Sequence, residues 1–234
     1  MQTLTQGSSP NVKKYAQPAA AGGQALSPAT RALLAAGAAS GPLFYGLAAI
    51  QMAIRPGFDI RRHAISLLSL GDLGWIQIAS FILTGVLALL CAVALRRVLR
   101  GGKAGTWGPL LIGVYGVGLI IGGLFHPDPG LGFPPGAPAG MPTSMSAQAG
   151  VHSLAFYLAF LSLIAASFVI ARRFAAEGRG AWRAYSLATG IVAPVLIVLG
   201  STNPGVAGML FAVAGLVAFG WASAVAAYLA RHPF

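Results

Sequence analysis

The chain has 234 residues, of which 56% are hydrophobic and only 8% are charged, and its formal net charge is +11. A soluble globular domain carries about 25% charged residues, so this composition excludes an ordinary soluble domain and indicates an integral membrane protein. The basic residues lie in short clusters between apolar runs, with no basic stripe interleaved with aromatic residues, which argues against nucleic acid as a partner.

The first 30 residues are rich in Ala, Gly, Pro, Ser and Gln. Such a segment buries too little apolar surface to offset the entropy of folding, so we predict a disordered cytoplasmic tail over residues 1–30. Near its end, Ser27 and Pro28 form a start signal for a helix, with serine as the N-cap and proline at the first helical position.

Six apolar stretches follow, each close to the length of about 20 residues that a helix needs to cross a bilayer. They cover residues 32–54, 74–95, 108–125, 151–171, 184–202 and 206–230. We therefore predict an all-α, polytopic membrane protein in which residues 31–231 form one domain of six transmembrane helices. The stretch HAISLLSL, at residues 63–70, is too short to span a bilayer, and we expect a short interfacial helix there, after the first span.

The distribution of basic residues predicts the orientation. All but three of the 15 Lys and Arg residues lie in the N-terminal tail, in the connections after the second and fourth spans, or at the C-terminus. The positive-inside rule places these segments in the cytoplasm. We therefore expect a multi-pass protein of the cell (inner) membrane with both termini cytoplasmic.

The connection after the first span, RPGFDIRRHAISLLSLGD at residues 55–72, carries the other three basic residues. They are Arg55, Arg61 and Arg62. On the outer face these charges oppose the positive-inside rule, so we expect them to serve something other than orientation. In the same connection, His63, Ser66 and Ser69 share one face at helical spacing.

Further polar residues reach the same membrane boundary from the neighbouring spans. The third span ends at His126 and Asp128, and the fourth begins at Gln148 and His152. We therefore predict a polar site on the outer face. Its candidate members are Arg55, Asp59, Arg61, His63, Ser66, Ser69, Asp72, His126, Asp128, Gln148 and His152.

Such a cluster suits three kinds of chemistry. One is a divalent-metal site, since three protein ligands and an open position are typical of catalytic zinc. Its candidate ligands are His63, His126, Asp128 and His152. The others are a proton relay and a phosphate-binding pocket with Arg61 or Arg62 as the anion partner. The residues name no cofactor, and haem is not expected because His126 precedes a proline at a span end.

Several of these residues also have a purely structural interpretation. Asp72 is well placed to cap the second span, and Asp128 lies in an Asp-Pro turn. The arginines of the first connection can contact lipid headgroups or Asp59. His152 can serve as a helix-start residue that makes one hydrogen bond, so the sequence leaves the choice open.

At these residues the sequence resembles the six-span bacterial and archaeal membrane proteins known as domain of unknown function 998. The stretches that carry the likeness are RPGFDIRRHAISLLSLGDLGWIQIASF, GLFHPDPGLGFPPGAP, the region of His152 and AWRAYSLATG. The family pattern of an IS-x-LS core preceded by His or Asn, a D-P after the third span and an HGxxH pair is matched at His63, Asp128 and His152. Gln148 stands in place of the first histidine of the pair, which weakens the metal interpretation. The resemblance, from about residue 31 to residue 231, implies a six-helix membrane fold and no established activity.

Three classes of function follow from these patterns. We expect a non-enzymatic membrane component that handles or senses lipid or acts as an accessory protein. The alternatives are a membrane-embedded hydrolase, which needs the histidines and Asp128 to converge, and a small-solute transporter, which the scarcity of polar residues within the spans disfavours. The lipid bilayer is the expected partner, and the spacing of Gly37 and Gly41 permits a homo-oligomer or a complex with another membrane protein.

Overall fold

The computed structural model describes residues 25–234 of the chain. Two short 3-10 helices, Ile65–Ser69 and Pro204–Val206, lie in the connections between six long helices. The long helices are α1 (Pro28–Ile54), α2 (Gly74–Val98), α3 (Gly102–Leu124), α4 (Ala147–Ala176), α5 (Gly180–Thr202) and α6 (Ala207–Arg231). The prediction of an all-α fold with six long helices and a short helix after the first is confirmed.

Each long helix is long and apolar enough to cross a membrane. At about 1.5 Å per residue, even the 23-residue helices α3 and α5 extend for about 35 Å, which exceeds a hydrocarbon core of about 30 Å. Helix α1 begins where the sequence indicates, because the Ser27 hydroxyl accepts the Thr30 N–H at 3.2 Å and Pro28 is the first helical residue. The tail predicted over residues 1–30 lies, as far as residue 24, outside the described residues.

The six helices form a closed ring in chain order. Each helix packs against the next, and α6 returns to pack against α1. Glycines permit the closest approaches, since a Cβ on Gly85 of α2 would lie 2.5 Å from the carbonyl oxygen of Gly116 in α3. Gly37 and Gly41 are also used inside the ring, where Gly37 packs on α2 and Gly41 on α6. The small-residue spacing of α1 therefore packs the bundle itself.

The two ends of the ring differ in structure. The even number of long helices brings both described ends of the chain to one side, here called the terminus end. The opposite side, the loop end, carries the connections at residues 55–73, 125–146 and 203–206. Deeper in the ring, the rings of Phe44, Tyr115 and Phe160 surround Phe219 at centroid distances of 5.3, 5.1 and 5.8 Å. These aromatic side chains form a floor beneath the loop end.

Candidate functional site

Arg55, directly after α1, is buried and fastens α1 to the short helix Ile65–Ser69. Its Nη1 donates to the Leu68 carbonyl at 3.0 Å, its Nη2 donates to the Leu70 carbonyl, and its guanidinium lies 5.1 Å from the Phe133 ring centroid. Burial lowers the pKa of Arg55, and the nearby Asp72 carboxylate acts in the opposite direction. Because the guanidinium donates to backbone carbonyls, its place in the site is structural.

His63 has no exposed surface, and both of its ring nitrogens have partners. Nδ1 accepts the backbone N–H of Asp59 at 2.9 Å, and Nε2 lies 3.0 Å from the Leu131 carbonyl oxygen. Since a carbonyl can only accept, Nε2 carries the proton, which fixes one neutral tautomer. The ring also packs on Phe58 and Phe133, at 5.4 and 5.5 Å. His63 therefore joins the first connection to the 125–146 connection, with no nitrogen left over for a ligand.

The charged residues before His63 pair with each other at the surface. The Asp59 carboxylate accepts hydrogen bonds from the backbone N–H and the Nε of Arg61, both at 3.1 Å, and lies 3.7 Å from Arg62 Nε. These contacts, with the Arg61 hydrogen bonds first, hold the pKa of Asp59 below its usual range. The start of α6 packs directly on this turn, since the Gly208 N–H donates to the Arg61 carbonyl at 3.0 Å. A surface ion pair of this kind contributes little stability.

The structure does not arrange the remaining polar residues of the first connection as the sequence analysis predicts. These residues are Ser66, Ser69 and Asp72. The Ser69 hydroxyl donates to the Ser66 carbonyl at 2.7 Å, so it closes a turn of the short helix. Ser66 lines two cavities described below. Asp72 is exposed, and Leu73 occupies the N-cap of α2 without a side-chain cap. The interpretation of Asp72 as the cap of this helix was wrong because the chain turns one residue later.

Asp128 and His126 follow the end of α3 and contact the start of α4. The Asp128 carboxylate accepts the backbone N–H of Ser146 at 2.8 Å, and the Ser146 hydroxyl in turn caps α4 through the Ala149 N–H. The hydrogen bonds from Ser146 hold the pKa of Asp128 below its usual range. The Nε2 amide of Gln148 donates to His126 Nδ1 at 2.7 Å. Asp128 thus anchors the 125–146 connection to α4.

His152, in the first turns of α4, has one ring nitrogen without a partner. Its Nδ1 lies 3.1 Å from the Gly122 carbonyl oxygen and 2.8 Å from that of Phe125. Both carbonyls only accept, so Nδ1 carries the proton and Nε2 has a free lone pair. Within residues 25–234, no donor lies at hydrogen-bond distance from Nε2. This availability distinguishes His152 from His63.

The structure distributes the candidate residues over separate local groups. Asp59 pairs with Arg61, His126 with Gln148, and Asp128 with the start of α4. Over residues 25–234, no three His, Cys, Asp or Glu side chains are grouped so that they could hold a metal ion. The convergence that a hydrolase needs is therefore not found in this part of the chain.

Two adjoining cavities occupy the loop end. The inner cavity, of about 270 Å³, lies within the helix ring beneath the short helix. Its lining includes eight aromatic side chains, Phe44, Tyr45, Phe81, Phe156, Tyr157, Phe160, Phe211 and Phe219. The second cavity, of about 520 Å³ and here called the vestibule, lies between the short helix, the 125–146 connection and the start of α6. Both are lined by Ala64, Ser66, Ser153, Ser201 and Phe211.

The spacing of aromatic residues on α4 and α6 is a sequence pattern that indicates the inner cavity, although the sequence analysis did not single it out. Phe156 and Phe160 stand four residues apart on α4, and Phe211 and Phe219 stand eight apart on α6, so each pair shares one helix face. Small residues between them, such as Gly215, leave the space that the rings enclose. Only the closure of the ring brings these two faces together.

The family model described as "Protein of unknown function (DUF998)" matches residues 38–228, a range that includes parts of all six long helices. The chain belongs to this family. No curated protein and no solved structure matches it. The resemblance expected from the sequence is confirmed, and residues 55–73 and 125–138 of the quoted stretches lie at the loop end of this DUF998 protein.

The DUF998 chain also buries polar side chains that the sequence analysis missed. Gln51 on α1 and Gln77, Ser80 and Thr84 on α2 have no exposed surface, and we call these four the polar seam. Gln51 Nε2 donates to Gln77 Oε1 at 2.7 Å. Gln51 Oε1, Gln77 Nε2 and the two hydroxyl oxygens have no hydrogen-bond partner among the described residues. Each such atom costs about 1–3 kcal/mol when it stays unpaired.

Proposed function

We propose that this DUF998 protein is a non-enzymatic membrane protein that binds an amphipathic lipid at its loop end. The observation that carries this proposal is the inner cavity, which has aromatic walls and polar groups at its mouth. Small-molecule sites are typically apolar cavities of about 300–1,000 Å³ with a few placed polar groups. The inner cavity and the vestibule together provide this combination, with the apolar part deeper in the bundle.

Three polar residues of the loop end support binding rather than catalysis. His63 uses both ring nitrogens for backbone partners, and Arg55 uses its guanidinium on carbonyls. Asp128 accepts a backbone N–H at the start of α4. These side chains rigidify the connections that enclose the cavities, which prepares a binding site without providing an activated nucleophile or general base.

The charge distribution supports an outward-facing loop end. Among the described residues, the basic side chains of the loop end are Arg55, Arg61 and Arg62. Those of the terminus end are Arg31, Arg96, Arg97, Arg100, Lys103, Arg172, Arg173, Arg179, Arg183 and Arg231. By the positive-inside rule the terminus end is cytoplasmic, and the lipid enters from the outer leaflet of the bacterial inner membrane.

Cysteine labelling in intact cells tests this orientation. Ala139→Cys places a thiol on the exposed part of the 125–146 connection, and Ala181→Cys places one at the terminus end. A membrane-impermeant maleimide is expected to label the first variant in intact cells and the second only after permeabilisation. The reverse pattern would overturn the orientation. The native Cys91 is buried and should stay unlabelled.

Cross-linking with photoreactive lipids tests the binding site. The probes are diazirine-tagged hexadecyl amphiphiles with hydroxyl, carboxylate or ammonium headgroups, added to purified protein in nanodiscs. Ser153 lines both cavities, so Ser153→Phe should fill their junction and reduce the cross-linking yield of whichever probe binds. Leu154→Phe is the matched control because the next residue of the same helix is 70% exposed. Equal yields from both variants, or no cross-linking by any probe, would contradict lipid binding.

The polar seam favours small-solute transport as a second candidate function. Unpaired buried polar atoms at membrane depth are typical of a hydrated path, and the seam reaches from Gln51 and Gln77 near the loop end to Thr84 in the middle of α2. In a Cys91→Ala background, a hydrated seam predicts that a small water-soluble thiol reagent labels Thr84→Cys. A dry seam leaves that thiol unlabelled and removes the support for transport.

A further inference from the structure

The apolar walls of the inner cavity cannot by themselves select one lipid. Lipid tails in the bilayer are already in an apolar environment, so moving a tail into the cavity yields little hydrophobic free energy. Selection therefore depends on the polar groups that the cavity presents to the headgroup. The donor and acceptor state of each of these groups follows from its hydrogen bonds to the backbone.

His152 presents a hydrogen-bond acceptor to the inner cavity, which it lines. Its Nδ1–H donates to the carbonyls of Gly122 and Phe125, and Nε2 has no partner within residues 25–234. The opposite tautomer would leave Nδ1 without a proton between two carbonyl oxygens, so it is disfavoured. A ligand that donates an O–H or N–H would satisfy this unpaired Nε2 lone pair.

Three hydroxyl groups in the lining of the inner cavity, like Nδ1 of His152, already donate their protons to backbone carbonyls. Tyr45 donates to the Ala212 carbonyl at 2.8 Å, and Ser153 and Ser201 donate to carbonyls of their own helices at 2.9 Å. Their oxygens still have free lone pairs. The serine hydroxyls can rotate towards a ligand, but the tautomer of His152 is fixed by two partners. His152 therefore sets the preference for a ligand that donates.

The charges around the inner cavity restrict the ligand further. Its lining contains no Lys, Arg, Asp or Glu, and the charged residues Arg62 and Asp128 line only the adjoining vestibule. A carboxylate or phosphate headgroup beside His152 would bring acceptor oxygens against its lone pair, and the inner cavity itself holds no cation to pair with them. An ammonium group would donate, but it would be a buried charge with no carboxylate beside it.

We infer that the ligand of the inner cavity is a neutral lipid alcohol, whose hydroxyl donates to Nε2 of His152 while its chain lies among the aromatic rings. This inference rests on the proposed lipid-binding function and names the ligand class for that same site. A lipid alcohol satisfies the one fixed acceptor and adds no charge to the cavity.

Competition against the diazirine-tagged hexadecanol tests the ligand class on the wild-type protein in nanodiscs. The competitors are hexadecanol, its methyl ether, palmitate and hexadecylamine. We expect the methyl ether and palmitate to compete about tenfold more weakly than hexadecanol, since each loses the hydrogen bond to His152. Equal competition by all four would overturn the alcohol class and leave lipid binding intact. Stronger competition by the amine would also overturn it, in favour of a cationic ligand, and the absence of any cross-linking would remove lipid binding itself.

Variants of His152 test whether the preference for hexadecanol over its methyl ether depends on Nε2 of this residue. His152→Phe keeps an aromatic ring but removes the acceptor, so the ratio between hexadecanol and its methyl ether should fall to about one. His152→Gln should restore part of the ratio, because an amide can donate to the carbonyls and offer an acceptor oxygen to the ligand. His126→Phe is the matched control, since His126 does not line the inner cavity, and should leave the ratio unchanged. A ratio unaltered in His152→Phe would overturn the assignment, and the wild-type ratios test the ligand class even if that variant does not fold.

Discussion

The contact between the start of α6 and the first connection gives the sharpest stability prediction. A Cβ on Gly208 would overlap the carbonyl oxygens of Ile60 and His63 and lie 2.6 Å from the His63 carbonyl carbon, whereas real Cβ contacts essentially never come below 3.0 Å. These are backbone atoms and cannot move aside as a flexible side chain does. Gly208→Ala must therefore displace α6 or the turn that holds His63, at a cost of about 1–3 kcal/mol.

The matched control lies on the same helix. A Cβ on Gly220 would meet no atom within 4 Å, so Gly220→Ala should be neutral or stabilise the protein by up to about 1 kcal/mol through helix propensity. Thermal unfolding of both purified variants in the same detergent measures the difference. The account of the loop end would be refuted if Gly208→Ala were as stable as Gly220→Ala.

Three further predictions concern the polar groups. Arg55→Met removes two hydrogen bonds of a buried charged residue and should lower the free energy of unfolding by about 1.5–3 kcal/mol. Arg61→Met at the surface should change it by less than about 0.5 kcal/mol, and denaturant titration compares the two variants. The pKa of Asp128 lies below its ordinary value of 3.8 when folded, so its stabilising contact is present at neutral pH and is lost as pH falls through the folded-state pKa. Unfolding temperatures measured over a pH series should therefore fall less steeply at low pH in Asp128→Asn than in the wild type. The same fall at low pH in both proteins would contradict the prediction. Gln51→Leu alone leaves Gln77 unpaired and should lower the free energy of unfolding by about 1–3 kcal/mol. Adding Gln77→Leu should recover part of that loss, and losses that simply add in the double variant would contradict the pairing.

Much of the fold could be predicted from the sequence because apolar length is a strong signal in a membrane protein. The centre of each predicted span falls within one of the six long helices, but some helix boundaries differ from the predicted ones. Helix α4 continues to Ala176, past the predicted end at residue 171, and Arg173 in its last turn pairs with the C-cap residue Glu177 at 2.9 Å. Polar residues thus extend a helix beyond the apolar run that identifies it.

The candidate site was predictable only in part, for physical reasons. The sequence placed His63 and His152 at the loop end, but their different chemistry depends on tertiary contacts. His63 loses its free nitrogen to the Leu131 carbonyl, 68 residues away in the chain, whereas His152 keeps one. The inner cavity depends on tertiary packing that brings faces of α4 and α6 together, and hydrophobic periodicity does not specify such packing.

The position at which a bound lipid cross-links to the chain tests the central claim most directly. After irradiation with the diazirine-tagged hexadecanol, peptide mass spectrometry identifies the modified residues. The account predicts modification of inner-cavity residues such as Phe156 and Phe211, and its loss in Ser153→Phe. Modification confined to exposed positions of α4, such as Leu154 and Leu161, would show that the lipid contacts only the outside of the bundle and would contradict the account.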